Sequence, residues 1–340
     1  MRDPLVVVDA DVLGRNRTGD ETYVLNLLRE LPAFAASAGL RIGAVTRFPE
    51  LVPAGVEAIE LRARSQELRM AWALPRLLRE RGAALVHTQY ALPVRCPCPV
   101  VVTIHDLSFE RDATLMSRRD RRVFRFVVPR AARGAARILT VSERSRHDIV
   151  ELYGVPEERV VVTPNGVDPV FAPGAPGSRD YVLAVGAIQR RKDQLAALQA
   201  ARSVGLPLVV VGPEKDPAVA NELRKQGATL RGYVPIEELA ALYRGAACLV
   251  QASRYEGFGL PVLEAMASGT PVVTVQDAAL LEVAGDAAVV VEPSGLADGI
   301  RRAIAERESL TTAGLARAQL FSWRTAAERT VAVYREALAR

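Results

Sequence analysis

Residues 255–273 read YEGFGLPVLEAMASGTPVV and set two carboxylates, Glu256 and Glu264, eight positions apart. ACLVQAS before them has the composition of a buried strand, RYEGFG is a glycine-flanked loop, and PVLEAMAS is helical in character. Pro261 suits the first helical turn, where its missing N–H costs nothing, and Gly269 is a natural carboxy-terminal stop. Glu264 then lies about one turn inside the helix. Helical side chains lean toward the amino terminus, so both carboxylates converge on the helix mouth. Free N–H groups and a partial positive charge at that mouth favour phosphate. The ligand implied has an anionic centre and hydroxyl-rich ends, as a nucleotide sugar has. Backbone amides would take its diphosphate and the carboxylates its sugar hydroxyls. Purely structural roles compete: Glu264 pairing with an arginine of the next helix, Glu256 capping the Gly259 or Leu260 amide. The two glutamates together with the G-F-G loop and the helix start favour binding.

A second cluster lies in VGAIQRRKD, where Arg191 and Lys192 follow a strand and a turn led by Gly186. Cations at a helix start oppose the macrodipole, so an anion held between them is the better account than a solvated face. Arg190 leaves the register of this pair open by one position. His105 ends the strand VVVTI and is followed by Asp106, which either orients it or caps the next turn. His87 ends LVHT, and His147 sits on a polar helix with a surface role expected. Asp9 and Asp11 form a D-x-D after the first strand, with no clustered partners; a turn role is expected of them rather than a metal.

These residues need a scaffold that delivers strand ends. LVVVDA, RIGAVT, VEAIEL, ALVHT, PVVVTIHD, RILTVS and RVVVTP alternate with helical patterns, and the rhythm restarts with YVLAVG, LPLVVVG, ATLRGYV, ACLVQAS, PVVTV and AAVVVEP. Short, consecutively apolar, valine-rich runs are strands buried on both faces of a parallel sheet. The fold class expected is α/β, with two Rossmann-like doubly wound parallel-sheet domains facing across a cleft. Their bounds are residues 1–163, a proline- and glycine-rich linker at 164–179, and residues 180–320. Residues 321–340 form a carboxy-terminal helix that Trp323, Val331 and Tyr334 can pin to a domain surface, the amino-terminal one included. Ligands in such sheets sit beyond the strands' carboxyl ends.

Other chemistries lack their signatures. There is no G-x-G-x-x-G after the first strand, no G-K-[ST] and no G-x-S-x-G. Three cysteines, two of them in CPC, make neither an ordinary disulfide framework nor a zinc site, and point to a reducing, cytoplasmic compartment. No stretch reads as a signal peptide or a membrane span. The net charge is +5, and much of the excess lies at 111–137, where Arg118, Arg119, Arg121, Arg122, Arg125, Arg130 and Arg133 face only Asp112 and Asp120. That segment is either a solvated helix face or a surface for phosphates or anionic lipid. It lacks the interleaved aromatics of a nucleic-acid surface. Val123, Phe124, Val127 and Val128 form an apolar stripe there, read first as core packing and expected to be interrupted by Pro129.

The glutamate segment resembles the E-x7-E signature of family 4 retaining glycosyltransferases, which have the GT-B architecture. TGDETYVLNLL, TIHDLSF, TVSERSRHDI, TPNGVD, VGAIQRRKD, RGYV and FSW fall in that family's order over nearly the whole chain. The mannosyltransferase-like branch is the most similar. The resemblance implies that Glu256 contacts donor-sugar hydroxyls, Glu264 the ribose, and Arg191 with Lys192 the diphosphate. It implies amide contacts from Phe258, Gly259 and Leu260, contact with the base from Gly232, Tyr233 and Val234, and His105 near the transferred sugar. Gly19 matches one glycine of the loop after the first strand, but Asp20, Glu21 and Thr22 follow where the family commonly has a second glycine.

The activity expected is transfer of a hexose, mannose favoured (GDP-mannose), from a nucleoside-diphosphate sugar to a glycan or lipid-linked acceptor, with retention. No cofactor and no metal are expected, because the two cations take a metal's place. Contact with an anionic membrane is an accompanying expectation; nucleic acid is not a partner. Two rivals are a nucleotide-sugar 2-epimerase and a non-catalytic nucleotide-sugar-binding subunit.

Overall fold

The computed structural model describes residues 3–15, 18–112, 118–175 and 177–339. The chain forms two compact units, Met1–Gly166 together with Ser322–Arg340, and Val167–Phe321. Every apolar run named above becomes a strand. In the first unit these are β1 (Leu5–Asp9), β2 (Arg41–Thr46), β3 (Glu57–Glu60), β4 (Ala83–Gln89), β5 (Val100–Thr103), β6 (Arg137–Thr140) and β7 (Val160–Val162). They make a parallel sheet in the order β3-β2-β1-β4-β5-β6-β7. In the second unit they are β8 (Val182–Val185), β9 (Leu208–Val211), β10 (Thr229–Leu230), β11 (Cys248–Gln251), β12 (Val272–Val275) and β13 (Val289–Val291). Their order, β10-β9-β8-β11-β12-β13, is again parallel. Helices cover both faces, which is why β1 and β12 are buried at every position.

In each sheet the order reverses beside the unit's first strand. The reversals lie between β1 and β4 and between β8 and β11. Doubly wound sheets bind ligands outside the strand ends at this switch. The turn led by Gly186 follows β8, and the loop to Glu256 follows β11, so the sequence places both charged clusters at the switch of the second sheet.

The stretch 164–179 carries no helix or strand where described, and from Val167 onward it belongs to the second unit. Phe171 is buried edge-on against Tyr243, with ring centroids 5.7 Å apart, and Arg179 N–H donates to Gly245 O at 2.8 Å. The carboxy-terminal helix, Trp323–Leu338, packs along the helix Thr18–Ser37 of the first unit. Ser322 caps it by accepting from Thr325 N–H at 3.0 Å, and Trp323, Val331 and Tyr334 are buried.

One expectation is corrected. Pro129 does not interrupt the arginine-rich helix, which runs unbroken from Arg118 to Gly134. Packing explains this: Val128, Ala131 and Ala132 bury one face in the core, and burial outweighs the one hydrogen bond that proline removes. The expected apolar stripe divides accordingly. Phe124 packs on Phe109 and Tyr90, while Val123 faces solvent beside Phe126. Among the described residues no helix is long and apolar enough to cross a membrane.

Candidate donor site

The turn after β8 tightens into a 3-10 helix at Arg190–Lys192, and Asp193 follows with φ 48°. Gly186 stands at φ 135°, and a β-carbon there would meet the Lys192 stem at 3.3 Å, so glycine leaves the lysine its path. Contacts divide the three cations of R-R-K. Arg190 is exposed and faces Asp216, Nε to Oδ2 3.4 Å. Arg191 donates from Nη1 to Tyr255 O at 2.9 Å and to Glu256 Oε2 at 3.1 Å. Lys192 Nζ donates to Glu256 Oε1. The two loops are tied further by Arg254 N–H to Arg191 O at 2.8 Å and Arg254 Nε to Asp193 at 2.9 Å.

Glu256 is 5% exposed. Burial alone would push its carboxyl up, but Lys192 and Arg191 outweigh burial and hold it down at about 2. Gln251, at the end of β11, donates to Glu256 Oε1 at 2.7 Å, and Asp277 Oδ2 lies 3.4 Å from the Glu256 amide. The anion that Arg191 and Lys192 hold in this structure is therefore Glu256 itself.

Glu264 lies in the helix Leu260–Ala267, entered through Gly259 at φ 118° with Pro261 in the first turn. Tyr243 Oη donates to Glu264 Oε2 at 2.7 Å, and Oε1 takes no hydrogen bond from the described residues. Burial lifts this carboxyl to about 7 against the Tyr243 hydrogen bond, with Asp168 adding to the rise. One glutamate is thus fixed in its ionised form and the other sits near its titration point. Phe258 is buried against Phe321, centroids 5.9 Å apart. After β10, Gly232 (φ 63°) accepts through its carbonyl from Gly212 N–H at 2.8 Å, Tyr233 is exposed, and Val234 is buried.

His105 and Gly19 belong to the first unit. His105 Nε2 lies 3.2 Å from Gln89 Oε1, and its ring meets Tyr23 edge-on at 4.6 Å and Tyr90 at 5.6 Å. Burial lowers its pKa, against Asp20 and Asp106. Asp106 does not orient the ring; Oδ1 accepts from Ser108 N–H at 2.9 Å, capping the next turn. His87 is sealed in the core, and His147 is exposed beside Glu151. Gly19 is in the first turn of Thr18–Ser37, and residues 16 and 17 of its loop lie outside the described residues.

Asp9 and Asp11 have partners that sequence spacing did not reveal. Arg69, fully buried, donates to Asp9 at 2.7 Å, and Arg47 grips Asp11 with two hydrogen bonds at 2.9 and 3.0 Å. Arg15 adds a third arginine at 2.9 Å from Asp11. Tyr243, Gln251, Gln89 and Tyr23 were likewise missed. Gln89 and Gln251 carried a signal, a polar residue closing an apolar strand; Tyr243 and Tyr23 sit on helices with nothing local to mark them.

Comparison with known proteins accords with this geometry. The family model described as Glycosyl transferases group 1 matches residues 170–316, and that of Glycosyltransferase Family 4 matches residues 17–171. The O-antigen chain mannosyltransferase B of Escherichia coli is 32% identical over 78% of this chain and 77% of its own length. The MMP alpha-(1->4)-mannosyltransferase of Mycolicibacterium hassiacum is 33% identical over 71% of this chain and 66% of its own. Among solved structures, Anabaena Alr3699/HepE in complex with UDP and glucose superposes with a TM-score of 0.74 at 15% identity, covering 98% of this chain and 99% of that one.

Proposed function

Because this chain belongs to the glycosyl transferases of group 1 and family 4, and is a glycosyltransferase of GT-B fold, we propose that it transfers mannose from GDP-mannose to a glycan or lipid-linked acceptor. The observation that carries this reading is the Arg191–Lys192–Glu256 cluster at the switch of the second sheet. On donor binding the two cations exchange Glu256 for the diphosphate, and Glu256 turns to sugar hydroxyls. Glu264 Oε1 takes the ribose. Gly232, Tyr233 and Val234 meet the base, and the amides at 258–260 meet sugar and phosphate.

The bond from the anomeric carbon to the phosphate oxygen breaks, and the acceptor oxygen bonds on the same face, so configuration is retained. The acceptor's proton passes to the departing phosphate oxygen. Arg191 and Lys192 stabilise the charge that develops there, which makes a metal unnecessary. His105 is assigned a part in the transfer, as the family resemblance implies. The arginine-rich helix, exposing Val123 and Phe126 between arginines, rests on an anionic membrane at the cytoplasmic face.

A thermal-shift screen of GDP-mannose, UDP-glucose, UDP-N-acetylglucosamine and ADP-glucose tests the donor, since a bound ligand raises stability by mass action. GDP-mannose is expected to give the largest rise; no rise with any of them removes the donor site. Transfer that survives a chelator and gives a retained anomer supports the mechanism, and transfer lost to the chelator refutes it. Sedimentation with anionic vesicles that ignores salt removes the membrane contact.

A further inference from the structure

The interior of the first unit holds a polar chain that this mechanism leaves unused. Tyr334 Oη lies 2.6 Å from His87 Nδ1, His87 Nε2 lies 2.7 Å from Thr103 Oγ1, and Thr103 Oγ1 lies 3.0 Å from Tyr23 Oη. All four side chains are sealed from solvent. They come from four elements: the carboxy-terminal helix, β4, β5 and the helix Thr18–Ser37. The chain ends at His105, because the Tyr23 ring stands against the imidazole with centroids 4.6 Å apart and planes at 83°. Trp323 closes on Tyr23 from the carboxy-terminal helix, centroids 6.1 Å apart. Strand pairing explains the convergence. Gln89 on β4 lies opposite Thr103 on β5, His87 shares Gln89's face of β4, and His105 is two residues beyond Thr103.

Phenylalanine and valine would fill this space without burying polar atoms, and buried polar atoms are costly unless each finds a partner. What the hydroxyls and imidazole add over apolar packing is direction. We propose that His87, Thr103 and Tyr23, anchored by Tyr334, are positioning residues for His105: the chain fixes the Tyr23 ring, and that ring fixes the imidazole plane that meets Gln89. His87 is suited to the middle of the chain because burial keeps it neutral, so one ring nitrogen donates and the other accepts. The inference rests on the role given to His105 above.

The chain has three histidines, so each imidazole NMR signal of the full-length protein can be assigned by single substitution. Thr103→Val removes the central hydroxyl and keeps the shape; Thr103→Ser restores it. Thr103→Val is expected to shift the His105 signals and their titration while those of exposed His147 stay in place. It should also lower kcat for transfer from GDP-mannose roughly tenfold, about the worth of one buried hydrogen bond, with KM for donor little changed. Thr103→Ser should return both. Tyr334→Phe loses only the outer hydroxyl and should give the same pattern more weakly, which decides the matter if Thr103→Val does not fold. Unmoved His105 signals in either folded variant overturn the proposal. Shifted signals with unchanged turnover overturn it as well, by taking His105 out of catalysis. Failure of the unsubstituted protein to use GDP-mannose strikes the donor reading alone, and the imidazole signals still decide the positioning.

Discussion

Glu256 remains ionised only because Lys192 and Arg191 outweigh its burial. Those cations are themselves largely enclosed, with side chains 10% and 18% exposed, and each donates to this carboxylate. Glu256→Gln should therefore cost about 2 kcal/mol of stability in urea melts, the usual worth of a hydrogen bond to a charged group. GDP should recover more of that loss than it adds to the unsubstituted protein, because the Glu256 carboxylate then no longer competes for the cations. An equal or smaller GDP shift in Glu256→Gln would break the exchange of partners. Lys192→Ala should leave the fold intact and lower kcat by about a hundredfold or more, as removal of a charge-stabilising donor does. The places of Glu256, Arg191 and Lys192 were legible from types and spacing because each sits in a loop directly after a strand. The hold of Tyr243 on Glu264 was not, since it joins residues of two different helices that only packing brings together.

At the scale of elements, continuous valine-rich runs located every strand of both sheets, and proline and glycine located the helix Leu260–Ala267. Local pattern failed where packing overruled it, at Pro129, and where long-range pairing set the answer, as with Arg69 and the two aspartates. The docking of the carboxy-terminal helix depends on another feature that no periodicity reveals. Gly166 lies so close to this helix's start that a β-carbon would fall 2.0 Å from Trp323 N and 2.5 Å from Ser322 C. These are backbone atoms, which cannot swing aside as a side chain does. Gly166→Ala should destabilise the protein by about 2–3 kcal/mol, at the upper end of overpacking costs, seen as a lower urea midpoint at unchanged m-value. An unaltered midpoint would mean that the helix start yields freely.

For the molecule as a whole, the repeated strand-and-helix rhythm made two α/β units legible, but not how each responds to pH. Burial depresses His87 in the first unit to about 3 from 6.5. The unfolded chain then takes a proton that the folded one refuses, so stability present above 6.5 is lost as pH falls toward 3. Burial lifts Glu264 in the second unit to about 7 from 4.5. Here the folded chain holds the extra proton, so stability present below 4.5 is lost as pH rises toward 7. Between 4.5 and 6.5 the two slopes oppose, each at most about 1.4 kcal/mol per pH unit. His105, also depressed by burial, adds to the first, whereas Glu256 acts only below 4.5. Glu264→Gln should consequently tilt the stability curve upward with pH across this window, and His87→Gln should tilt it downward. Urea melts of both variants at the two ends of the window measure the tilts. Tilts of the same sign would show that one of the two groups does not keep its buried, uncharged form in the folded protein.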